Sequence, residues 1–382
     1  MIGSYKKLGH GCCYTSAISG VVFLFAAILY VDDTDLLLRV KNITDTDEEF
    51  IKLIQNDVMD WGLLVQATGG SLNKKKCYVS VNSFKFVQGK TVLKKAKELP
   101  TQVIMIPQPD GIDVPIPIID PTMSKKTLGV LTNTAGDGAK HLGAIRTKGM
   151  AWKDALKSNK YLRPRDGWLS LNIQLKPRLE WGLVGLSAKL DEVDKVIHAI
   201  YHASLGRLKV NPKMKKEFRM LPEMYQGLGL FNLNIDGLGA RIFFLRQHWN
   251  MTTPIGQMLK QAFEAFQMNV GLEGNIFVRD FSRLGDLSED CWFKKTWELC
   301  YRFKVSIIIH ECYDIPLTRS RDRAVMECFI DNGAYDITDL VVLNRDRKSK
   351  KVHSLADVLR CDGKTVDPEM LLLQQTETVS TR

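Results

Sequence analysis

The chain has 382 residues, 45% hydrophobic and 25% charged, a globular balance that excludes collagen-like and disordered classes and leaves room for two or three compact units. The formal net charge is +10 and is concentrated: residues 140–220 hold 18 Lys+Arg against 7 Asp+Glu, a surplus of 11. Such a block fits an anionic partner, nucleic acid first, or a solvated basic face.

In chain order, the first notable stretch is residues 17–31, AISGVVFLFAAILYV, with Lys6 and Lys7 upstream. It has the look of a signal-peptide core or a membrane span. The fully apolar part, Val21 to Val31, is too short for a span of ~20 residues. It also runs into two aspartates, where a signal peptide would have small cleavage-site residues. A buried strand is the expectation, with no membrane partner. The turn Asp32-Asp33-Thr34-Asp35 and the apolar segment Leu36 to Val40 complete a strand–turn–strand reading over residues 18–40.

Thr46 and Glu49 form a capping-box pattern that opens a helix. Phe50, Ile54, Val58, Trp61 and Val65 supply its apolar stripe, and Gly69-Gly70 end it. Tyr78 to Val87 reads as a strand. Residues 100–127 read as an exposed hairpin or insertion turning at Asp110-Gly111, because prolines confine strands to edges. From about residue 140 the pattern is helical. Leu186, Leu190, Val193, Ile197, Ile200 and Leu205 form one stripe ended by Gly206, and Pro177 should break or kink the helix that begins near Trp168. After residue 250 helical and strand-like pieces alternate, and the polar tail 371–382 should fray.

The eight cysteines, at 12, 13, 77, 291, 300, 312, 328 and 361, contain no CxxC pair. That argues for a reducing intracellular compartment, nucleus or cytoplasm, and against a zinc ribbon. His198 and His202 lack a third ligand nearby and read as core or surface histidines.

Adjacent carboxylates on a turn after a strand suit a hard divalent cation, Mg2+ or Mn2+, which takes oxygen ligands. The string Phe25-Ala26-Ala27-Ile28-Leu29-Tyr30-Val31-Asp32-Asp33-Thr34-Asp35-Leu36 resembles the catalytic hairpin of reverse transcriptases. Gly69-Gly70-Ser71-Leu72-Asn73-Lys74-Lys75-Lys76-Cys77 is similar to the next palm motif of the non-LTR, LINE-like retrotransposon enzymes. Leu128-Gly129-Val130 resembles the block that opens their primer-gripping segment. Leu221-Pro222 with Gly227-Leu228-Gly229-Leu230 resembles the signature after the thumb, with Gln226 where the family usually has another glycine. The four motifs occur in the family's order.

The resemblance implies an α+β fold: a partial palm over 1–139, a helical thumb-like unit over 140–250 and a mixed α/β region over 251–370. It makes Asp32 the main metal ligand, with Asp33 beside it in the second shell or at the second ion, and places Tyr30 against the primer terminus. Lys76 would protonate the leaving pyrophosphate, although Lys74 and Lys75 are equally cationic, and Asn73 would shape that loop. Both Leu128-Gly129-Val130 and the 221–230 motif read as structural, with glycines where the backbone turns or approaches closely. Lys74, Lys75, Lys213, Lys215, Lys216 and Arg219 are the candidate contacts to an RNA template and an RNA–DNA hybrid.

The family also uses a third aspartate from an earlier strand, a Gln-Gly motif and finger-domain cations. Residues 1–31 contain no Asp or Glu. The expectation is therefore a C-terminal fragment of an RNA-directed DNA polymerase, inactive alone. It would take deoxynucleoside triphosphates only if the missing palm and fingers were supplied. Two alternatives stand beside it: a non-catalytic nucleic-acid-binding or ribonucleoprotein scaffold, and a glycosyltransferase using the Asp33-Thr34-Asp35 triplet.

Overall fold

The computed structural model describes the chain except residues 1–4, 6, 9, 17, 31–32, 41–45, 89, 212, 310–321, 333–335, 361, 363 and 368–382. The tail expected to fray thus lies outside the described residues. Contacts divide the chain into two compact units, one of residues 1–14 and 23–233, the other of residues 15–22 and 234–382. The architecture is mixed α/β with several small open sheets.

The apolar run is neither one strand nor buried throughout. It divides into β2 (Val22–Phe25), which pairs with β1 (Cys12–Thr15), and β3 (Ala27–Tyr30), which pairs with β4 (Asp33–Leu36). Among the described side chains of the run, Phe25 and Ala26 at the break are buried, whereas Val22, Leu24 and Ile28 are exposed. The reason is local: each two-stranded ribbon has just one neighbour strand, so an all-apolar strand cannot cover both of its faces. A hairpin forms within residues 18–40 as expected, but three of the four residues assigned to its turn, Asp33, Thr34 and Asp35, lie in β4, the expected second strand Leu36–Val40 contributes only Leu36, and full burial does not hold.

Helix α1 (Asp47–Ala67) starts on the expected capping box. Thr46 Oγ1 accepts from the Glu49 amide at 3.3 Å, and the Thr46 amide donates to Glu49 Oε2 at 2.7 Å. Ile54 and Trp61 are buried along its stripe. The expected strand from Tyr78 to Val87 is two strands, β5 (Val79–Ser80) and β6 (Phe84–Val87), the latter pairing with β7 (Lys90–Leu93).

The proline-rich stretch is a further correction. It is a hairpin turning at Asp110-Gly111, but it belongs to the core. β8 (Val103–Ile106) and β9 (Val114–Ile119) are antiparallel, with Met105 opposite Pro115 and Val103 opposite Pro117. Ile104, Ile106, Ile116 and Ile118 are buried with Ile51, Ile54 and Leu99. The period of two turns isoleucines inward and prolines outward. Met105 sends its backbone N–H and C=O to the Gln55 side chain instead, each at 2.8 Å, so Pro115 opposite owes no ladder donor. β5 pairs with β9 only at Ile118 and Ile119, past the prolines.

β10 (Lys125–Thr127) and β11 (Val130–Thr132) close a hairpin, with Thr127 opposite Val130. Its two-residue turn is Leu128-Gly129, with φ of 50° and 88°. Positive φ at both positions is the type I′ geometry.

The basic region follows as α2 (Ala139–Ser158), α3 (Pro164–Ser170), α4 (Lys176–Glu180), α5 (Leu190–Ser204) and α6 (Lys216–Met220). Between α3 and α4 the backbone widens into a π turn, Leu171–Leu175. Pro177 follows at once, and the widened turn accommodates its missing N–H. The stripe Leu186, Leu190, Val193, Ile197, Ile200 and Leu205 is buried as expected.

The region after residue 250 was expected to mix helices with strands. From residue 234 on, the regular elements among the described residues are helices, apart from two isolated bridges: α7 (Leu233–His248, entering the second unit at Asn234), α8 (Pro254–Val270), α9 (Phe281–Leu284), α10 (Trp292–Phe303), α11 (Val325–Asp331) and α12 (Ile337–Ser349), with short 3-10 turns between and after them. Phe263 touches the rings of Trp249, Phe266, Phe277 and Phe293 at its centre. No helix among the described residues is long and apolar enough to cross a membrane.

Candidate nucleic-acid and metal sites

β3 and β4 register as Ala27↔Leu36, Ile28↔Asp35, Leu29↔Thr34 and Tyr30↔Asp33. Tyr30 and Asp33 are therefore the last described pair of the hairpin, and Thr34 and Asp35, expected in a turn, are strand residues of β4. Asp32 lies outside the described residues, as do the side chains of Tyr30 and Asp33. Among the described residues no group of three or more His, Cys, Asp or Glu could hold a metal ion. A pair of divalent ions needs more ligands than two neighbouring carboxylates on one turn.

Lys74, Lys75 and Lys76 are all exposed on one turn. Asn73 holds that turn: its carbonyl accepts from the Lys76 and Cys77 amides at 2.9 and 3.1 Å, and its side chain accepts from the Lys75 amide at 3.2 Å. Nothing in the geometry sets one of the three lysines apart.

In the basic region Lys213 and Lys215 are exposed and carry no ion pair among the described residues. Lys216 Nζ stands 3.7 Å from Asp194 Oδ2, a long and partly exposed pair of small energetic value. Arg219 differs from the other three. It is half-buried, and its Nε is buried without a partner among the described residues. Two further cations, Arg146 of α2 and Lys195 of α5, line an open cleft of 390 Å³ between these helices, with Glu192 on its rim.

One cluster was not visible in the sequence. Tyr5 donates to Asp57 Oδ2, His10 Nδ1 lies 2.6 Å from Asp57 Oδ1, and His10 Nε2 lies 2.7 Å from Asp60 Oδ2. Tyr5 stacks on His10 at 4.7 Å and meets Trp61 edge-on at 5.2 Å. Tyr5 and Asp57 are fully buried. Burial pushes the Asp57 carboxyl above its ordinary range, with Asp60 adding to the rise, while Tyr5 and His10 pull the other way. Burial and the neighbouring carboxylate raise the Tyr5 phenol strongly. Both imidazole nitrogens face carboxylates, which leaves no lone pair for a metal. The cluster pins the N-terminal segment to α1. Tyr5 and Trp61 pack with Ala26, while Leu36 abuts them, so it also supports the base of the β3–β4 hairpin. Its residues are some 50 positions apart in sequence, and the one available signal was a pair of carboxylates, Asp57 and Asp60, on the inner side of α1.

The glycines of the later motifs have structural roles. Trp181 Nε1 donates to the Leu128 carbonyl at 2.8 Å, and a Cβ on Gly129 would stand 3.1 Å from that nitrogen. At Gly227 a Cβ would fall well inside contact distance of the Leu221 carbonyl, 2.5 Å from Leu221 Cβ.

No protein-family model and no curated protein matches this chain.

Proposed function

We propose that the chain binds nucleic acid through its basic helical region, as a palm-and-thumb portion of a retroelement-type reverse transcriptase, and does not polymerise by itself. The observation that carries the reading is the β3–β4 hairpin, whose register pairs Tyr30 with Asp33 at its end. The order of the four resembling motifs supports it, as do the exposed, unpaired Lys213 and Lys215 in the most basic part of the chain. A contact of this kind engages the phosphate backbone, a task for cations and not for base-reading side chains.

The test has two arms. On an RNA template with an annealed primer, the purified chain should incorporate no nucleotide; incorporation abolished by Asp32→Asn would contradict the proposed inactivity. On an RNA–DNA hybrid, binding should be insensitive to sequence and fall steeply with salt, with a log–log slope of roughly −5 if about six phosphates are contacted. Lys213→Ala, Lys215→Ala and Lys216→Ala together should flatten the slope and weaken all sequences alike. Arg219 stays unchanged in that variant because its half-buried side chain would confound binding with packing. Absence of binding at low salt, or binding that the triple variant leaves unaltered, would overturn the reading.

A further inference from the structure

A second surface in the first unit has the chemistry of a nucleic-acid contact, and of a different kind. Residues 71–97 contain eight lysines and no Asp or Glu. Within them β6 and β7 form a two-stranded ribbon that no third strand joins among the described residues. Successive strand residues point to opposite faces. Phe84 and Phe86 therefore share one face with their cross-strand partners Leu93 and Thr91. Phe86 is 80% exposed and Phe84 55%. Two phenyl rings presented to water side by side on a lysine-rich ribbon need a reason.

The ribbon is held firmly at its base. Lys94 pairs with Asp47, Ser83 Oγ donates to Asp47 Oδ1 at 2.6 Å, and the Lys94 amide donates to the Ser83 carbonyl at 2.8 Å. Lys85 pairs with Glu98. Lys95 and Lys97, just beyond the ribbon, are exposed without an ion pair among the described residues. The rings are thus mounted on a fixed base with free positive charge close by in sequence.

We infer that the Phe84–Phe86 face of the β6–β7 ribbon is a stacking platform for single-stranded nucleic acid, with two bases lying on the two rings and the phosphates near the lysines. Unpaired bases expose flat π faces that aromatic side chains accept without regard to sequence. A duplex hides those faces, so this ribbon would select the single strand, whereas the region around Lys213 and Lys215 takes the paired one. Asp47 and Glu98 are taken up by Lys94 and Lys85, and the exposed Lys95 and Lys97 beside them leave a net positive surface that suits a polyanion. The inference rests on the nucleic-acid-binding reading above and names a second class of ligand for it.

The experiment measures binding of the full chain to a labelled oligouridylate, to an abasic strand of the same length, and to an RNA–DNA hybrid. Phe84→Ala with Phe86→Ala should weaken oligouridylate binding by about a hundredfold, roughly tenfold for each ring. Binding of the abasic strand and of the hybrid should stay as it was. Phe86→Leu should lose as much as Phe86→Ala, because it retains the apolar contact and removes the ring. Phe86→Trp should bind at least as well as the parent chain, with its indole fluorescence quenched by the bases. Equal loss for oligouridylate and the abasic strand, or no loss for either, would overturn the inference. So would a concentration-dependent dimer in sedimentation that the double variant abolishes, since a second copy of the chain would then be the occupant. If the hybrid still binds through Lys213, Lys215 and Lys216 in those cases, the duplex reading stands by itself. If the parent chain binds oligouridylate through the rings and no hybrid, the duplex reading falls.

Discussion

Gln226 is the position where the resembling family usually has glycine, and its backbone lies at φ 63°, ψ 20°. This left-handed conformation costs a residue with a Cβ about 1–2 kcal/mol. Its side chain is exposed and makes no hydrogen bond among the described residues, so replacing it removes no contact. Gln226→Gly relieves that strain and adds about 0.5–1 kcal/mol of unfolded-state entropy. The net expectation is stabilisation of about 0.5–1 kcal/mol, a rise of roughly 1–4 °C in the melting transition of a unit of this size. Gln226→Ala keeps the Cβ and should change little. The neighbouring residue gives the opposite sign. Gly227→Ala drives a methyl into the Leu221 carbonyl, and the backbone there cannot yield. The Gly227 amide donates to the Pro222 carbonyl at 3.2 Å and the Gly229 amide to the Leu221 carbonyl at 2.9 Å. Overpacking of this kind should cost at least ~2 kcal/mol. Calorimetry together with equilibrium urea unfolding of all three variants measures the set. Stabilisation by Gln226→Ala equal to that by Gln226→Gly would show that the side chain, not the backbone, is at issue. A neutral Gly227→Ala would refute the close-approach argument altogether.

Leu128 occupies the first position of a type I′ turn that favours Asn before Gly, so Leu128→Asn should raise the melting transition by a degree or more; a fall would count against that turn assignment. Tyr5→Phe removes a hydrogen bond to a buried carboxylate and should cost about 1.5–3 kcal/mol in urea unfolding, an effect absent if the N-terminal segment is not docked on α1. The Asp57 carboxyl is raised by burial, so its contribution to stability is fully present below the ordinary carboxylate range and lost as pH rises through the folded value. Asp57→Asn should flatten that part of the stability–pH profile, and an unchanged profile would assign the dependence elsewhere. In the second unit Arg347 is buried, donates to the Met268 and Asn269 carbonyls at 2.6 and 3.1 Å, and is pushed down to about 10 by burial. Arg347→Ala should cost roughly 2–5 kcal/mol by uncapping the end of α8 and opening a cavity, and calorimetry showing less than ~1 would refute that role.

Local patterns were legible wherever neighbouring residues settle the outcome. The Thr46–Glu49 capping box, the stripe from Leu186 to Leu205 and the interruption at Pro177 depend on contacts within a few positions or on a missing N–H. The close backbone approach at Gly129 and Gly227 was legible as well, since glycine at a turn leaves few other reasons for its presence. A hairpin near Tyr30 was visible from the charged residues that follow the apolar run, but its register was not: Asp33, Thr34 and Asp35, expected in the turn, pair as strand residues of β4.

Tertiary structure decided what depends on the far side of each element. The sequence 103–119 alternates isoleucine with proline, and only the presence of α1 and of Gln55 makes that hairpin core rather than an exposed edge. The run before Asp32 is apolar on both faces, but its two ribbons offer neighbours for too little of it, so Val22, Leu24 and Ile28 stay exposed. Tyr5, His10, Asp57 and Asp60 meet only because the N-terminal segment lies along α1. Composition and period carry information about which residues avoid water. They do not say which surface will cover them, because burial is a relation between two elements and a sequence presents them one at a time.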